Sequence, residues 1–146
     1  MTDPEHTSTR RRLLAGAAGG LVLSLAGCLE STDDGPYGGY LSNANAFDGV
    51  TDRTGESEVR VTVGAGQGLA FDPAAVRIST GTTVVWEWTG RGGRHNVAAE
   101  DDSFASSYYV SEGETYERTF SEPGVVKYQC VPHSASGMIG VVEVVE

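Results

Sequence analysis

From residue 58 onward, the apolar residues occur in short runs, and within these runs they recur with a period of two residues. In the first of them, Val59, Val61 and Val63 alternate with polar residues, which is typical of a strand with one buried face. No stretch after residue 27 shows ten residues of helical period, so helix is expected only as a turn or two, near residues 104–109. The apolar runs lie at residues 58–65, 76–78, 84–88, 95–99, 115–120, 124–130 and 139–145. About seven short strands in one domain predict an all-β fold, a Greek-key β-sandwich.

The charge balance excludes one large class of function. The chain has 20 Asp and Glu against 10 Lys and Arg, a formal net charge of −10. A nucleic-acid binder needs a basic face to contact phosphates, so nucleic acid is not an expected partner. The 2 cysteines likewise exclude a disulfide-dense scaffold and a metal site built from four cysteines.

The first 27 residues carry the features of an export signal. Three arginines at residues 10–12 precede an uncharged stretch of 15 residues, rich in Leu, Ala and Gly, at residues 13–27. This stretch is shorter than the roughly 20 residues of a membrane-spanning helix, and it predicts a signal peptide over residues 1–27. The order of Thr9, the arginines and Leu13 resembles the twin-arginine signal for export of folded proteins. An ordinary secretion signal with a basic start is the alternative.

Cys28 follows Leu25, Ala26 and Gly27, and the four residues together look like a lipobox. In that interpretation Cys28 carries a diacylglycerol thioether, becomes the first mature residue and anchors the protein to the membrane. The alternative is cleavage nearby, with Cys28 lost or left unmodified. Residues 28–46 are rich in Ser, Thr, Asp and Gly, which predicts a lipid-anchored flexible linker ahead of a domain at residues 47–146.

Removal of residues 1–27 leaves 7 basic and 18 acidic residues, a formal charge of −11. A surface this acidic suits a protein that stays soluble in high salt, so we expect a salt-adapted source. With Cys28 lipidated, Cys130 has no cysteine partner, and a lone thiol in an oxidising compartment needs another role.

Four residues hold every imidazole, thioether and unlipidated thiol of the mature chain: His95, Cys130, His133 and Met138. Two imidazoles, a thiolate and a weak thioether are the ligands of a blue-copper centre, in which Met is the long axial ligand. Three of the four residues lie within nine residues on one loop, whereas His95 comes from another strand. A site held between two stiff elements moves little when copper changes between Cu(I) and Cu(II). The pattern therefore predicts a copper protein that carries one electron at a time.

Three other interpretations of these residues stay open at this point. Zinc is a rival ion, although Met is a poor zinc ligand and structural zinc sites prefer four Cys or His donors. A thiol enzyme using Cys130 and His133 leaves Met138 without a role and lacks an evident orienting residue. A copper-storage or delivery protein is expected to carry several Met or Cys, and the mature chain has one of each besides Cys28. Because the thiol-enzyme interpretation leaves Met138 without a role and lacks an orienting residue, we do not expect an enzyme.

Five stretches of the chain form a recognisable set of motifs: Phe71-Asp72-Pro73, residues 81–88, His95-Asn96-Val97, residues 128–133 and residues 137–140. Together they resemble the plastocyanin-like cupredoxins and, among them, the halocyanins of haloarchaea. The resemblance covers about residues 47–146 and implies a copper-containing β-sandwich with one copper ion at the four ligand residues. It also implies a monomeric, archaeal electron carrier at the outer face of the cytoplasmic membrane. Its partners would be redox proteins of a membrane electron-transport chain.

Three further features concern the ligand region. Asn96 occupies the position where cupredoxins use an Asn to tie the two ligand-bearing segments together. Gln129 stands where plant plastocyanins have a Tyr, so a second electron path through that position is not expected. Residues 131–142 contain no Asp, Glu, Lys or Arg, which predicts an uncharged surface around His133 through which electrons pass. The residues expected to form this surface are Pro132, Ala135, Gly137, Met138 and Ile139.

Overall fold

Nine β-strands lie in the part of the chain that the structure describes, residues 35–146 of a computed structural model. The strands are β1 (Thr51–Asp52), β2 (Glu58–Ala65), β3 (Ala70–Asp72), β4 (Ala75–Ser79), β5 (Thr82–Trp88), β6 (Ala98–Ala99), β7 (Thr115–Phe120), β8 (Gly124–Gln129) and β9 (Ile139–Val145). Two short 3-10 turns, Pro36–Gly39 and Val131–Ser136, are the helical segments of these residues. Strands β2, β7 and β9 have the predicted bounds, whereas the strand predicted at residues 95–99 is reduced to β6.

The strands form two sheets of a sandwich. One sheet has the order β1-β4-β9-β8-β6, and the other has the order β3-β2-β5-β7. Both sheets are mixed. In the first, β4 runs parallel to β1 and β9, but β8 runs antiparallel to β9. In the second, β2 runs parallel to β5, but β3 and β7 pair with them in antiparallel fashion. Side chains from the two sheets form one buried apolar cluster, as in a β-sandwich. The predicted all-β sandwich fold is confirmed.

An aromatic cluster lies at the centre of this core. Trp86 of β5 packs against the rings of Phe104, Tyr116, Phe120 and Tyr128, with ring centroids between 5.4 and 6.4 Å apart. The alternating apolar residues of β2 and β5 are all buried, because each strand presents one face to the cluster. The strands from which the ligand loops leave are therefore anchored in a packed core.

Residues 104–109 contain no helical turn and form β-bridges at Ala105 and Tyr109, so the prediction of a helical turn there is wrong. The segment pairs with the stretch that carries His95, which forms a β-bridge to Tyr109. Ser106 Oγ accepts a hydrogen bond from the backbone N–H of Val97 at 2.8 Å. Pairing with a neighbouring segment satisfies the backbone groups that a helix would satisfy internally.

Residues 37–47, most of them in the predicted flexible linker, pack against the sheet that contains β4 and β9; we call this segment the strap. Leu41 is 2% exposed and forms a cluster with Ala75 of β4 and Val141 of β9. The strap packs here because its apolar side chains cover the face of this sheet that points away from the main core. The packed region therefore begins at Tyr37 and not at the expected boundary.

The predicted signal peptide at residues 1–27 and the predicted lipidation of Cys28 lie outside the described residues. Within residues 35–146, no helix is both long and apolar enough to cross a membrane.

Candidate metal centre

Three of the four predicted ligands meet at one end of the sandwich. His95 Nδ1 lies 3.1 Å from His133 Nδ1, and the Cys130 sulfur lies 3.6 Å from the first nitrogen and 3.5 Å from the second. All three donor atoms lie within 4.8 Å of one another. Bonds of about 2.0–2.3 Å to a shared ion place ligand atoms roughly 3–4 Å apart, so this triangle has the size that a common metal ion requires.

The loop after β8 brings Met138 beside Cys130 and His133 through backbone hydrogen bonds. The N–H of Cys130 donates to the carbonyl of Met138 at 3.0 Å, and the N–H of Met138 donates to the carbonyl of His133 at 3.2 Å. Gly137 ends the intervening 3-10 turn with a φ of 97°, a left-handed conformation that favours glycine. Met138 is fully buried. Three predicted ligands therefore share one closed loop.

His95 is oriented by hydrogen bonds that leave Nδ1 free to face the other two donors. Its Nε2–H donates to the carbonyl of Arg91 at 2.7 Å, an assignment that keeps the lone pair of Nδ1 for a metal ion. Trp88 Nε1 donates to the backbone carbonyl of His95 at 3.2 Å, a role that the alternation of β5 does not reveal. The backbone N–H of His95 donates to the carbonyl of Tyr109 at 3.1 Å. The ring is thus held in the tautomer that binds metal through Nδ1.

Asn96 joins the segment of His95 to the loop of Cys130. Its Oδ1 accepts a hydrogen bond at 2.8 Å from the N–H of Val131, the residue after Cys130. Asn96 is 3% exposed, and a buried amide oxygen without a partner would be costly, so this bond constrains the spacing of the two segments. The bond lies at the position where the resemblance implies such a tie.

Burial sets the protonation of the metal-free site. It raises the pKa of the Cys130 thiol, although backbone hydrogen bonds from Asn96 and His133 oppose the rise. It also lowers the pKa of His95, which disfavours the imidazolium form. A bound metal ion therefore has to displace the thiol proton. Two imidazoles, one thiolate and a thioether suit copper better than zinc, because zinc prefers nitrogen, thiolate and oxygen donors.

His133 is the partly exposed member of the four predicted ligands, and the other three are buried. Pro132 and Ala135 are exposed beside it, as expected for an uncharged surface. Gly137 and Met138 are buried and lie beneath this surface, contrary to the prediction. The uncharged surface around His133 therefore contains fewer exposed residues than the sequence predicted.

Close backbone contacts between two glycine-rich loops also support the site, and sequence analysis missed them. Gly92 lies so close to Gly68 that a Cβ on Gly92 would overlap the Gly68 carbonyl. A Cβ on Gly64 would lie 2.8 Å from the carbonyl oxygen of Arg91, the atom that accepts the bond from His95. Frequent glycine in both loops is the sequence signal that indicates this contact, because only glycine lets two backbones approach so closely.

The chain matches a known family over most of the described residues. Residues 57–145 match the model of the family described as copper binding proteins, plastocyanin/azurin family. Halocyanin from Natronomonas pharaonis is 44% identical to this chain over an alignment of 156 residues, which covers 92% of this chain and 96% of that protein.

Two solved structures are similar in fold and in sequence. A purple cupredoxin from Nitrosopumilus maritimus gives a TM-score of 0.50 and 28% identity, over 59% of this chain and 98% of that one. A copper-containing nitrite reductase from Thermus scotoductus gives a TM-score of 0.51 and 29% identity, over 61% of this chain but 22% of the reductase chain. The family match and the His-Cys-His cluster support one copper ion as the cofactor. The chain therefore belongs to the plastocyanin/azurin family of copper-binding proteins, as a halocyanin-like cupredoxin.

Proposed function

We propose that the protein is a one-electron carrier and that His95, Cys130, His133 and Met138 would hold its copper ion. The observation that carries this proposal is the convergence of two nitrogen atoms and one sulfur atom within 4.8 Å, at the end of a packed sandwich. When bound, copper supplies the chemistry by cycling between Cu(I) and Cu(II). The chain supplies donors in fixed positions, because His95 and Cys130 are buried and hydrogen-bonded to their neighbours. A site that moves little between the two oxidation states needs little reorganisation for each electron transfer.

Electrons enter and leave, in this proposal, through the exposed edge of the His133 imidazole. His133 is partly exposed, and the turn Val131–Ser136 that contains it carries no acidic residue, lysine or arginine. A partner can approach this edge with little desolvation of charge. The neighbouring side chains of Pro132 and Ala135 are exposed and small, which favours close approach.

Cys28 is the proposed attachment point to the membrane, through a diacylglycerol thioether at the start of the mature chain. The support for this step is the lipobox-like sequence of residues 25–27 directly before it. Attached there, the domain lies at the outer face of the cytoplasmic membrane and exchanges electrons with redox proteins of a membrane electron-transport chain. Mass spectrometry of the native mature N-terminus is expected to find a lipid-modified Cys28. An unmodified cysteine, or a start well beyond residue 28, would contradict the attachment.

An electron carrier fits the chain better than the other copper functions. The likeness to nitrite reductase covers 22% of that enzyme's chain, so it supports a shared fold and not a shared activity. A copper-delivery site is expected to be open, whereas His95, Cys130 and Met138 are all fully buried. A thiol enzyme using Cys130 and His133 needs a reactive thiolate, and burial raises the pKa of this thiol.

The visible spectrum of the oxidised, copper-loaded protein tests the ligand set. We expect an intense thiolate-to-copper band at one copper per chain, because a thiolate bonded to Cu(II) is the source of the blue colour. Cys130→Ser is expected to lose the band, and Cys28→Ser, the matched control at the other cysteine, is expected to keep it. A coloured Cys130→Ser protein, or a copper-loaded parent without the band, would refute the ligand assignment.

A further inference from the structure

The strap reaches from the sheet of β4 and β9 to the copper end of the molecule. It lies before residues 57–145, the part of the chain that matches the copper-binding family. Leu41 anchors the strap against the sheet with a side chain that is 2% exposed. Tyr40 Oη donates a hydrogen bond at 2.7 Å to the carbonyl of Tyr128 in β8, the strand that leads into the ligand loop. The strap is thus part of the folded domain.

Asn45, near the end of the strap, joins two loops at the copper end. Its backbone N–H donates to the carbonyl of Gly137 at 2.9 Å. Its side-chain Nδ2 donates to the carbonyl of Ser136 at 2.8 Å and to the carbonyl of Leu69 at 2.8 Å. An Asn amide has two N–H donors, so Asn45 uses its full donor capacity to bridge the ligand loop and the loop between β2 and β3.

This contact falls between two proposed ligands. Ser136 and Gly137 follow His133 and lie directly before Met138. Gly137 is buried, and a Cβ placed on it would lie 2.9 Å from Asn45 Oδ1. The strap therefore lies on the stretch of backbone that sets the separation of His133 and Met138.

We infer that Asn45 is a positioning residue for the copper site, acting through the ligand loop without contact to the metal. The inference rests on the ligand set of the proposed function. Without the amide bond to Ser136, and without the bond to Leu69 that fixes the Asn45 side chain, the backbone bond from Asn45 to Gly137 remains but residues 136–137 are held less firmly, and the placement of Met138 and His133 changes with them. The axial ligand tunes the reduction potential of a blue copper centre, so Asn45 controls this property from outside the family's matched region.

Asn45→Asp is the most selective test of these hydrogen bonds, because aspartate has nearly the same shape as asparagine but no side-chain N–H donor. Its carboxylate faces the carbonyl oxygens of Ser136 and Leu69, which now repel it. Asn45→Ala removes the donors without adding a charge. Asn43→Asp is the matched control, because it adds the same charge two residues earlier in the strap, at an exposed position.

The first measurement uses the copper-loaded full chain. Both Asn45 variants are expected to shift the visible spectrum and the reduction potential. They are also expected to bind copper about 10- to 100-fold more weakly than the parent in competition with a chelator, the range for loss of a group that orients a ligand. Asn43→Asp is expected to match the parent in all three. Spectra, potentials and copper affinities that match the parent in both Asn45 variants would overturn the inference.

Hydrogen–deuterium exchange of the metal-free full chain gives a readout that does not depend on copper. In Asn45→Asp, exchange of residues 131–138 is expected to rise at least about tenfold, while exchange in β7 stays at the parent level and shows that the sandwich is folded. Unchanged exchange in residues 131–138 would overturn the inference. Equal loss of protection in β7 would also overturn it, because Asn45 would then support the whole fold. A parent without the blue band would refute only the proposed function, since exchange tests the strap separately.

Discussion

At the scale of single residues, the hydroxyl groups of Tyr40 and Tyr128 differ in their hydrogen bonding. Tyr128 Oη and Trp86 Nε1 are buried and make no hydrogen bond of good geometry within residues 35–146; they lie near each other, and although burial raises the pKa of Tyr128, the Trp86 indole opposes the rise. Tyr40 Oη, in contrast, donates to the backbone carbonyl of Tyr128 at 2.7 Å. Burying a polar atom without a partner costs about 1–3 kcal/mol, whereas a satisfied hydrogen bond stabilises the fold by about 1 kcal/mol.

Removing each hydroxyl is therefore expected to affect stability differently. Tyr40→Phe is expected to lower the free energy of unfolding by about 1 kcal/mol. Tyr128→Phe is expected to leave it unchanged or to raise it by up to about 1 kcal/mol, since the ring keeps its packing against Phe71 and Trp86. Urea unfolding of the two metal-free variants measures both changes. A loss in Tyr128→Phe as large as that in Tyr40→Phe would mean that this hydroxyl does have a partner.

The proposed ligands can be read from the sequence because few residues of the right chemistry exist in it. After Cys28 the chain contains two histidines, one methionine and one cysteine, so the ligand set has no competing choice. The groups that orient the ligands are harder to predict. The Arg91 carbonyl and the Trp88 indole that hold His95 act through positions that only the fold brings together. Every residue has a backbone carbonyl, so the residue type does not indicate which carbonyl accepts the hydrogen bond from the His95 ring.

At the scale of elements, the strands follow from the alternation, but the strap does not. The valines of β2 predict its observed bounds, because a strand with one buried face keeps a period of two. Tyr37, Tyr40, Leu41 and Ala44 of the strap have the spacing of one helix face, but they lie among Gly, Ser and Asn, which disfavour a helix, and the segment forms only turns. Their burial depends on residues in β4 and β9, far along the chain, which a local pattern cannot reveal.

Leu41→Ala tests whether the strap belongs to the fold. Leu41 is 2% exposed, so its truncation is expected to lower the free energy of unfolding by about 2–3 kcal/mol, as for other buried leucines. Val110→Ala is the control, because Val110 is 58% exposed and its truncation is expected to change this free energy by less than about 0.5 kcal/mol. Guanidinium unfolding of both variants gives the comparison. If Leu41→Ala is as stable as Val110→Ala, residues 37–47 form the flexible linker that their composition predicts.

At the scale of the whole molecule, charge is distributed unevenly around the copper end. Residues 35–146 carry 15 acidic and 7 basic residues, a formal charge of −8. None of these charges lies in residues 131–142, and Arg91 and Arg94 are exposed in the loop before His95. The acidic side chains therefore lie on the remaining surface. Two copies of the protein repel each other at long range, yet their His133 edges can meet without bringing acidic groups into contact.

Electron self-exchange between two copies of the copper-loaded protein tests the proposed path through His133. Added salt is expected to speed the exchange, because screening over about 10 Å at 0.1 M weakens the repulsion between two acidic molecules. Exchange rates measured across a salt series give this dependence. A rate that falls steadily as salt is added would mean that opposite charges bring the two copies together, which contradicts an approach through an uncharged surface.

Ala135→Glu and Val125→Glu separate the local effect of charge from the long-range one. Each variant adds one negative charge, so their net charges are equal and their long-range repulsion is similar. Ala135 is exposed in the turn of His133, whereas Val125 is 50% exposed near the start of β8, about 17 Å from Cys130 along an extended strand.

A carboxylate at residue 135 has to lose water when two His133 edges meet, whereas a carboxylate at residue 125 stays solvated. At low salt, Ala135→Glu is therefore expected to exchange electrons roughly tenfold more slowly than Val125→Glu. The visible spectra of both variants are expected to match the parent, because neither residue is a proposed ligand. Equal exchange rates in the two variants would place the electron path elsewhere, and the uncharged turn would then serve only to shield the metal from water.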